Sequence, residues 1–432
     1  MIVQKPREIA ARVLLRRATE ALFVEDLLES ALTSARLSPV DRGLCQELVY
    51  GVVRWQATLR WLVERKTPGR TQKEGLAILL QLGLYQMFWL DRIPNHAAVN
   101  ETVELGKQLG FGPQAGFLNA ILRAFTRESD ETRALLDGLK KSQPALGYSH
   151  PEWLVDRWQK VWGNGSTEQL LQWNNSPPPT FARRNSLQCT ADELTEQWQK
   201  EGVEFSPARH DWIPEEVAFE LRKCPSIASL ESFHRGLFYI QDPSTLLAVE
   251  WLDPQPGETI LDTCAAPGGK TTYIAQKMEN RGTIVALDTH QSRLNLLTQN
   301  ATRLGTSCIR TELSDDGREA GTKRYHRILV DAPCSNTGVM RRRIDVRWRL
   351  RLEEIDRLRR TQLSILKRAI SQLKPGGVLV YSTCSLETEE NTSVIQQLIR
   401  EHPELQLDRE RALLPFQEMV DGAYVARLTR AV

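Results

Sequence analysis

Apolar positions recur every three or four residues through the first third of the chain, as in Ile9-Val13-Leu14, Leu44-Leu48-Val49-Val52, Leu76-Leu79-Leu80 and Phe117-Ile121-Leu122. That period lines one face of a helix, so residues 1–135 are expected to be all-α. Breaks at Ser38-Pro39, Thr67-Pro68-Gly69, Ile93-Pro94-Asn95 and Gly110-Phe111-Gly112-Pro113 divide the region into five or more helices joined by short turns, the pattern of a bundle. The longest apolar stretch, Ile78 to Leu90, has 13 residues and includes Gln81 and Gln86. It predicts a buried core helix, too short to cross a bilayer.

The pattern changes at about residue 136. Residues 136–240 carry Trp153, Trp158, Trp162, Trp173 and Trp212, the break Pro177-Pro178-Pro179, and short extended pieces at Thr180–Asn185 and Leu237–Gln241. A small α/β connector is expected, with the tryptophans serving either as packing residues or as stacking platforms for bases. In residues 241–432 the period alternates. Strand-like runs at Thr259–Thr263, Thr283–Asp288, Arg327–Asp331 and Gly377–Thr383 are separated by helical runs at Lys270–Met278, Gln291–Leu304, Glu353–Leu373 and Glu387–Arg400. Strand–helix alternation predicts a Rossmann-like, doubly wound and mostly parallel sheet, and so a multi-domain chain.

Composition narrows the class. The chain has 432 residues, 41% hydrophobic and 25% charged, with a net charge of +2. It has enough apolar residues for packed cores, and any basic surface must be local. Its seven cysteines are widely spaced, the closest pair being 26 residues apart. No C-x-x-C pair is present, so a zinc knuckle and a metal site are not expected. Free thiols in a reducing cytoplasm fit this usage, and Met1–Arg17 lacks an uninterrupted apolar signal core.

Candidate chemistry collects in the alternating region. Cys264-Ala265-Ala266-Pro267-Gly268-Gly269-Lys270 follows a strand and opens a helix. Two glycines let a ligand approach the backbone, and the helix start offers unpaired N–H groups. A Walker A loop needs glycine where Cys264 stands, and G-x-G-x-x-G is absent. Asp288 ends the next strand and can accept ribose hydroxyls, and Asp316 follows the strand near Ser307–Arg310, at reach of an adenine edge. An acid-lined pocket without a phosphate cradle suits an adenosine such as that of S-adenosylmethionine.

Cys334 and Cys384 both stand just past strand ends, in Asp331-Ala332-Pro333-Cys334 and Tyr381-Ser382-Thr383-Cys384-Ser385. Ligands bind at that edge of such sheets, so the two thiols can face one cleft. Methylation of a pyrimidine at carbon 5 needs such a thiol. Addition of sulfur at carbon 6 turns carbon 5 into an enamine-like nucleophile. A free thiol has a pKa of about 8.5, so a nearby cation helps, and Lys270 is a candidate. Asp331 is placed to act as the acid near ring nitrogen 3. A second thiol can assist the departure of the first; spacing does not say which one attacks.

In these residues the chain resembles RNA 5-methylcytosine methyltransferases of the Fmu/Sun/RsmB type. The resemblance covers nearly the whole length. It rests on the Cys264–Lys270 loop, Asp331-Ala332-Pro333-Cys334-Ser335, Thr383-Cys384-Ser385 and Glu389-Glu390-Asn391. It implies that Cys384 is the nucleophile and that Cys334 helps release the product. It further implies that Cys264, Ala265, Ala266, Pro267, Gly268, Gly269, Lys270, Asp288, Asp316 and Asp331 line an S-adenosylmethionine site. The stretches His96–Glu101 and Gly116–Arg123 are similar to the family's NusB-like RNA-binding domain, which implies small-subunit rRNA as the partner and a monomer. Asn336 departs from the family's usual alanine or glycine, and Thr388 from its usual proline.

Residues 341–360 hold nine arginines against four acids, with Trp348 among them. Following the Cys334 loop directly, Arg341, Arg342, Arg343 and Arg347 are expected at the mouth of the cleft, holding phosphates while the target base is turned out of its stack. Two other readings are a tRNA methyltransferase, against which the helical N-terminal region argues, and a non-catalytic ribosome-assembly factor, against which the intact cysteine and loop set argues.

Overall fold

The computed structural model describes residues 5–314 and 323–432. The chain divides into two compact units, one formed by residues 1–176 together with 340–349 and the other by 177–339 together with 350–432.

The first unit is helical. Pro39 starts one helix at N1, where a missing N–H does no harm, and the Ser38 side chain accepts from Asp41 N at 3.1 Å. At its centre the helix Glu74–Trp89 is buried on nearly every side, as the 13-residue apolar run predicts. Gly51 of the neighbouring helix Pro39–Arg54 leaves room for the Tyr85 ring, which any Cβ there would strike. The compact unit runs on past residue 135 to Ser176. The long helix Glu152–Asn175 belongs to this unit, burying Leu154, Val155, Trp158, Leu170 and Leu171, and it bends at Gly163, which has a φ of 75°.

A second addition to the helical unit comes from far along the chain. Residues 340–349 join it, with Ile344 in its hydrophobic core. Asp345 is fully buried and accepts from Arg17 Nε at 2.8 Å, Val24 N at 3.0 Å and Arg349 Nε at 2.8 Å. The Trp348 indole donates to Val53 O at 2.7 Å.

The second unit carries two sheets. Strands β1 (Thr180–Arg184), β2 (Glu204–Pro207), β3 (Ala218–Lys223) and β4 (Phe238–Ile240) form an antiparallel sheet in the order β2-β3-β1-β4. Its core gathers around Trp198, which is fully buried against Phe205, Phe219 and Phe238.

The larger sheet has, among the described residues, seven strands: β5 (Thr259–Asp262), β6 (Thr283–Asp288), β7 (Ile309–Leu313), β8 (Tyr325–Asp331), β9 (Leu373–Thr383), β10 (Leu405–Leu413) and β11 (Ala423–Arg430). Their order is β10-β11-β9-β8-β5-β6-β7. Strands β5 to β9 pair in parallel, and β11 and β10 close one edge antiparallel. Successive side chains point to opposite faces, so Ile260, Leu329, Val380 and Val425 enter one apolar layer while Leu261, Ile328, Leu379 and Leu428 enter the other. Helices on both faces cover these runs, as the alternation predicts, and Gln291–Leu304 is helical end to end. The β10–β11 pair was not expected. Among the described residues no helix is long and apolar enough to cross a membrane, and no cluster of three or more His, Cys, Asp or Glu side chains could hold a metal.

Candidate active site

Parallel register brings the site together. In the pairing of β8 with β9, Asp331 lies opposite Ser382. The chain leaves both strands on the same sheet edge, so Cys334 and Cys384, three and two residues further on, are delivered to one place. Their sulfurs are 3.4 Å apart. Cys334 is buried and Cys384 half-buried.

A buried carboxylate fastens the two cysteine loops to each other. Glu390 accepts from Ser335 N at 3.0 Å and from the Ser335 hydroxyl on one loop, and from Ser385 Oγ at 2.5 Å on the other. Gln362 Nε2 adds a fourth donor at 3.0 Å. Burial raises the Glu390 pKa, and the donors pull part of that rise back. Gly338 N donates to Cys384 O at 2.9 Å, and a Cβ at Gly338 would stand 2.7 Å from that oxygen and from Gly422 O. Asn336 adopts a left-handed φ of 59°, which favours glycine and tolerates asparagine. Its Oδ1 accepts from the Cys384 thiol at 3.2 Å, and its Nδ2 donates to Cys334 O at 2.8 Å. Hydrogen bonding to Cys384 and burial both push the Cys334 thiol well up.

Asp331, at the end of β8, is held from two sides, by Lys270 Nζ at 2.7 Å and Ser382 Oγ at 2.6 Å. Burial works against the Lys270 charge, but Asp331, Cys384 and Asp262 outweigh it, so its pKa is raised.

The Cys264–Lys270 loop joins β5 to the helix Gly269–Lys277. Gly268 starts the helix at a φ of 102°, and no side chain caps it. A Cβ at Gly268 would meet Leu297 Cγ at 3.0 Å, and one at Gly269 would meet Gln241 Nε2 at 3.3 Å. Ala265 N donates to Leu287 O at 2.8 Å, and Arg293 Nη2 to Ala266 O at 2.7 Å. Pro267 is exposed at the turn, while burial pushes the Cys264 thiol up to about 12. Asp288 ends β6, is buried, accepts from His290 N at 3.1 Å and pairs with Arg293 at 3.2 Å. Asp262 is buried too. Thr271 Oγ1 donates to its Oδ2 at 2.8 Å, its Oδ1 has no partner, and burial raises its pKa to about 7. Asp316 lies outside the described residues.

Sequence reasoning missed Arg183. Fully buried on β1, it donates to Gly269 O at 2.6 Å and Thr272 Oγ1 at 3.0 Å, and stands 4.8 Å from the Tyr273 ring centroid. Burial lowers its pKa to about 10. It supports the first turn of the cofactor-loop helix from beneath. The strand run Thr180–Arg184 ends in two adjacent arginines, and nothing in its pattern marks Arg183 as the buried one.

The arginine row divides. Arg347 is fully buried in the helical unit and donates to Asn174 O at 2.9 Å, Asn175 Oδ1 at 2.8 Å and Ser149 O at 3.2 Å, with burial lowering its pKa to about 9. Arg341 is buried with its guanidinium 3.8 Å from the Trp173 ring centroid. The expected phosphate contact is therefore corrected for these two, whose charges are spent on structure inside the helical unit. Arg342 is half-buried, and Arg343 is exposed.

An open sheet with a glycine loop after β5 and paired thiols beyond β8 and β9 is the frame of a methyltransferase, and the comparisons agree. A model described as 16S rRNA methyltransferase RsmB/F matches residues 249–429, one described as the NusB family matches 4–127, and a ferredoxin-like domain of RsmF/B-like methyltransferases matches 150–222. The chain is 38% identical to the probable ribosomal RNA small subunit methyltransferase B of Bacillus subtilis, covering 93% of this chain and 90% of that protein. It is 34% identical to ribosomal RNA small subunit methyltransferase B of Yersinia enterocolitica, covering 98% of each. The solved structure of a methyltransferase homolog protein from Pyrococcus horikoshii is 31% identical, with a TM-score of 0.59, over 69% of this chain and 99% of that one. The chain belongs to the RsmB/F family of methyltransferases.

Proposed function

We propose that this enzyme methylates carbon 5 of one cytosine in 16S small-subunit rRNA, the counterpart of position 967, through a covalent adduct on Cys384. The observation that carries this reading is the pair of thiols at 3.4 Å beside the Lys270–Asp331 pair.

S-adenosylmethionine fits the loop on the chemistry of its lining. No side chain caps the helix start at Gly268, and the nearby carboxylates Asp288 and Asp331 are already paired with Arg293 and Lys270, so the site carries no surplus of cations for a phosphate. Residues Cys264–Lys270 and Asp288 would hold it, together with Asp331. When bound, it supplies an electrophilic methyl group.

The chain's own residues do the rest. Cys384 sulfur adds to carbon 6 of the cytosine, and electron density moves to carbon 5. Asp331 supports the proton needed at ring nitrogen 3, and Lys270 holds Asp331 in place. After methylation the Cys334 sulfur, as thiolate, takes the proton from carbon 5, the ring 5,6 double bond re-forms, and Cys384 departs as a thiolate. Arg343, exposed in the row, is a candidate to meet phosphate. The curated relatives' names support small-subunit rRNA as substrate.

The test is mass-spectrometric mapping of new 5-methylcytosine after incubation with S-adenosylmethionine and either unmodified 16S rRNA or bulk tRNA. One methylated cytosine in the rRNA is expected. Methylation confined to tRNA would overturn the substrate, and wild-type rates for Cys384→Ala would overturn the nucleophile.

A further inference from the structure

The two cysteines are closer than their catalytic roles require. A nucleophile and a release thiol act on one base, but here the sulfurs already touch at 3.4 Å. They are also prevented from drifting apart. Glu390 links Ser335 to Ser385, Leu386 N donates to Thr337 Oγ1 at 2.8 Å, and Gly338 N donates to Cys384 O at 2.9 Å. Each cysteine thus has a hydrogen-bonded tie within three residues of it along the chain, with the sulfurs 3.4 Å apart.

Access is uneven in a useful way. Cys384 is half-buried and so partly open to solvent, while Cys334 is buried. Cys334 and Cys384 are also, among the described residues, the cysteines whose sulfurs are in contact.

We propose that Cys384 and Cys334 form a modification site that hydrogen peroxide converts reversibly to a disulfide, with Cys384 as the attacking thiol and Cys334 as the resolving one. Cys384 sulfur attacks one peroxide oxygen, the O–O bond breaks, and one water leaves, giving a sulfenic acid. Cys334 sulfur then attacks Cys384 sulfur and displaces the hydroxyl as a second water, forming the S–S bond. Two thiols lose two electrons and two protons, and one peroxide is reduced to two waters. A dithiol reductant reverses the change. The oxidised enzyme has no thiol to add to a base; that consequence rests on the reaction proposed above, whereas the cross-link does not.

The test uses the full chain treated with an equivalent of hydrogen peroxide, alkylated with N-ethylmaleimide, digested and mapped without reduction. A peptide pair joining Cys334 to Cys384 is expected, with loss of two of the seven titratable thiols and recovery of both on adding dithiothreitol. Cys334→Ser is expected to leave Cys384 without a partner, so that further peroxide drives it to sulfinic acid that dithiothreitol does not restore. Sulfinic acid on Cys384 of the wild type with Cys334 still alkylated would overturn the proposal. So would full thiol recovery in the Cys334→Ser enzyme. Because the readout is a cross-linked peptide, it stands or fails independently of methyl transfer.

Discussion

Lys270 Nζ lies 2.7 Å from Asp331 Oδ2, joining the first turn of the cofactor-loop helix to the end of β8. Ser382 holds the other oxygen at 2.6 Å, so the carboxylate has one orientation. Lys270→Met removes the cation and leaves Asp331 with a hydroxyl alone. Methyl transfer at saturating RNA is expected to fall about 10²-fold or more, in the range of a lost acid–base or electrostatic group. Ser382→Ala should fall far less. A Lys270→Met enzyme within twofold of wild type would remove this pair from the chemistry.

Glu390 is the acceptor for four donors from three segments. Glu390→Ala leaves those donors buried without a partner, at a cost of about 2–5 kcal/mol. Thermal unfolding should show a clear drop in midpoint. The peroxide cross-link should also slow, since the loops carrying Cys334 and Cys384 lose their common tie. An unchanged midpoint would mean that solvent reaches Glu390 in solution.

Asp262 gives the fold a pH dependence of known sign. Its folded-state pKa of about 7 stands above the ordinary value. The folded protein therefore keeps a proton that the unfolded chain gives up, and stability falls as pH rises from the unfolded value through about 7. The slope from this group is at most about 1.4 kcal/mol per pH unit. Asp262→Asn cannot titrate. Its melting temperature, measured without ligand, should rise relative to wild type between pH 5 and pH 8. A constant difference across that range would rule out the shift.

The arginine row separates by experiment as it does by burial. Arg347→Met should destabilise the helical unit, because Asn174 O, Asn175 Oδ1 and Ser149 O lose a donor. Arg343→Ala should leave stability unchanged and weaken RNA binding, with the salt slope reduced by about 1 for one lost phosphate contact. Filter binding across a salt series, set beside thermal melts, checks both, and the opposite pattern would reverse the assignment.

Much of the catalytic half was legible because its signals are local. Helix Gln291–Leu304 and strand Thr283–Asp288 carry their periods in their own residues. The meeting of Cys334 and Cys384 could be inferred because parallel strands deliver their ends to one edge. Edge strand β10 hid because Gln406 and Asp408–Glu410 face water, leaving Leu405 and Leu413 as its buried ends. Arg341 and Arg347 read as a surface because charge density is visible in a sequence, whereas the carbonyls that accept from Arg347 are up to 293 residues away. Arg183 was missed for the same reason, its partner Gly269 being 86 residues distant.

The buried guanidinium of Arg183 also sets where this protein can be divided. The antiparallel sheet of β1–β4 looks like a detachable module, and the methyltransferase family model begins only at residue 249. A fragment starting there would leave Gly269 O and Thr272 Oγ1 without their donor and expose the Tyr273 ring to water. The smallest autonomous catalytic piece must start upstream of Thr180. A chimera that exchanged the small sheet must bring an arginine at the position of Arg183 to keep these bonds to the cofactor-loop helix.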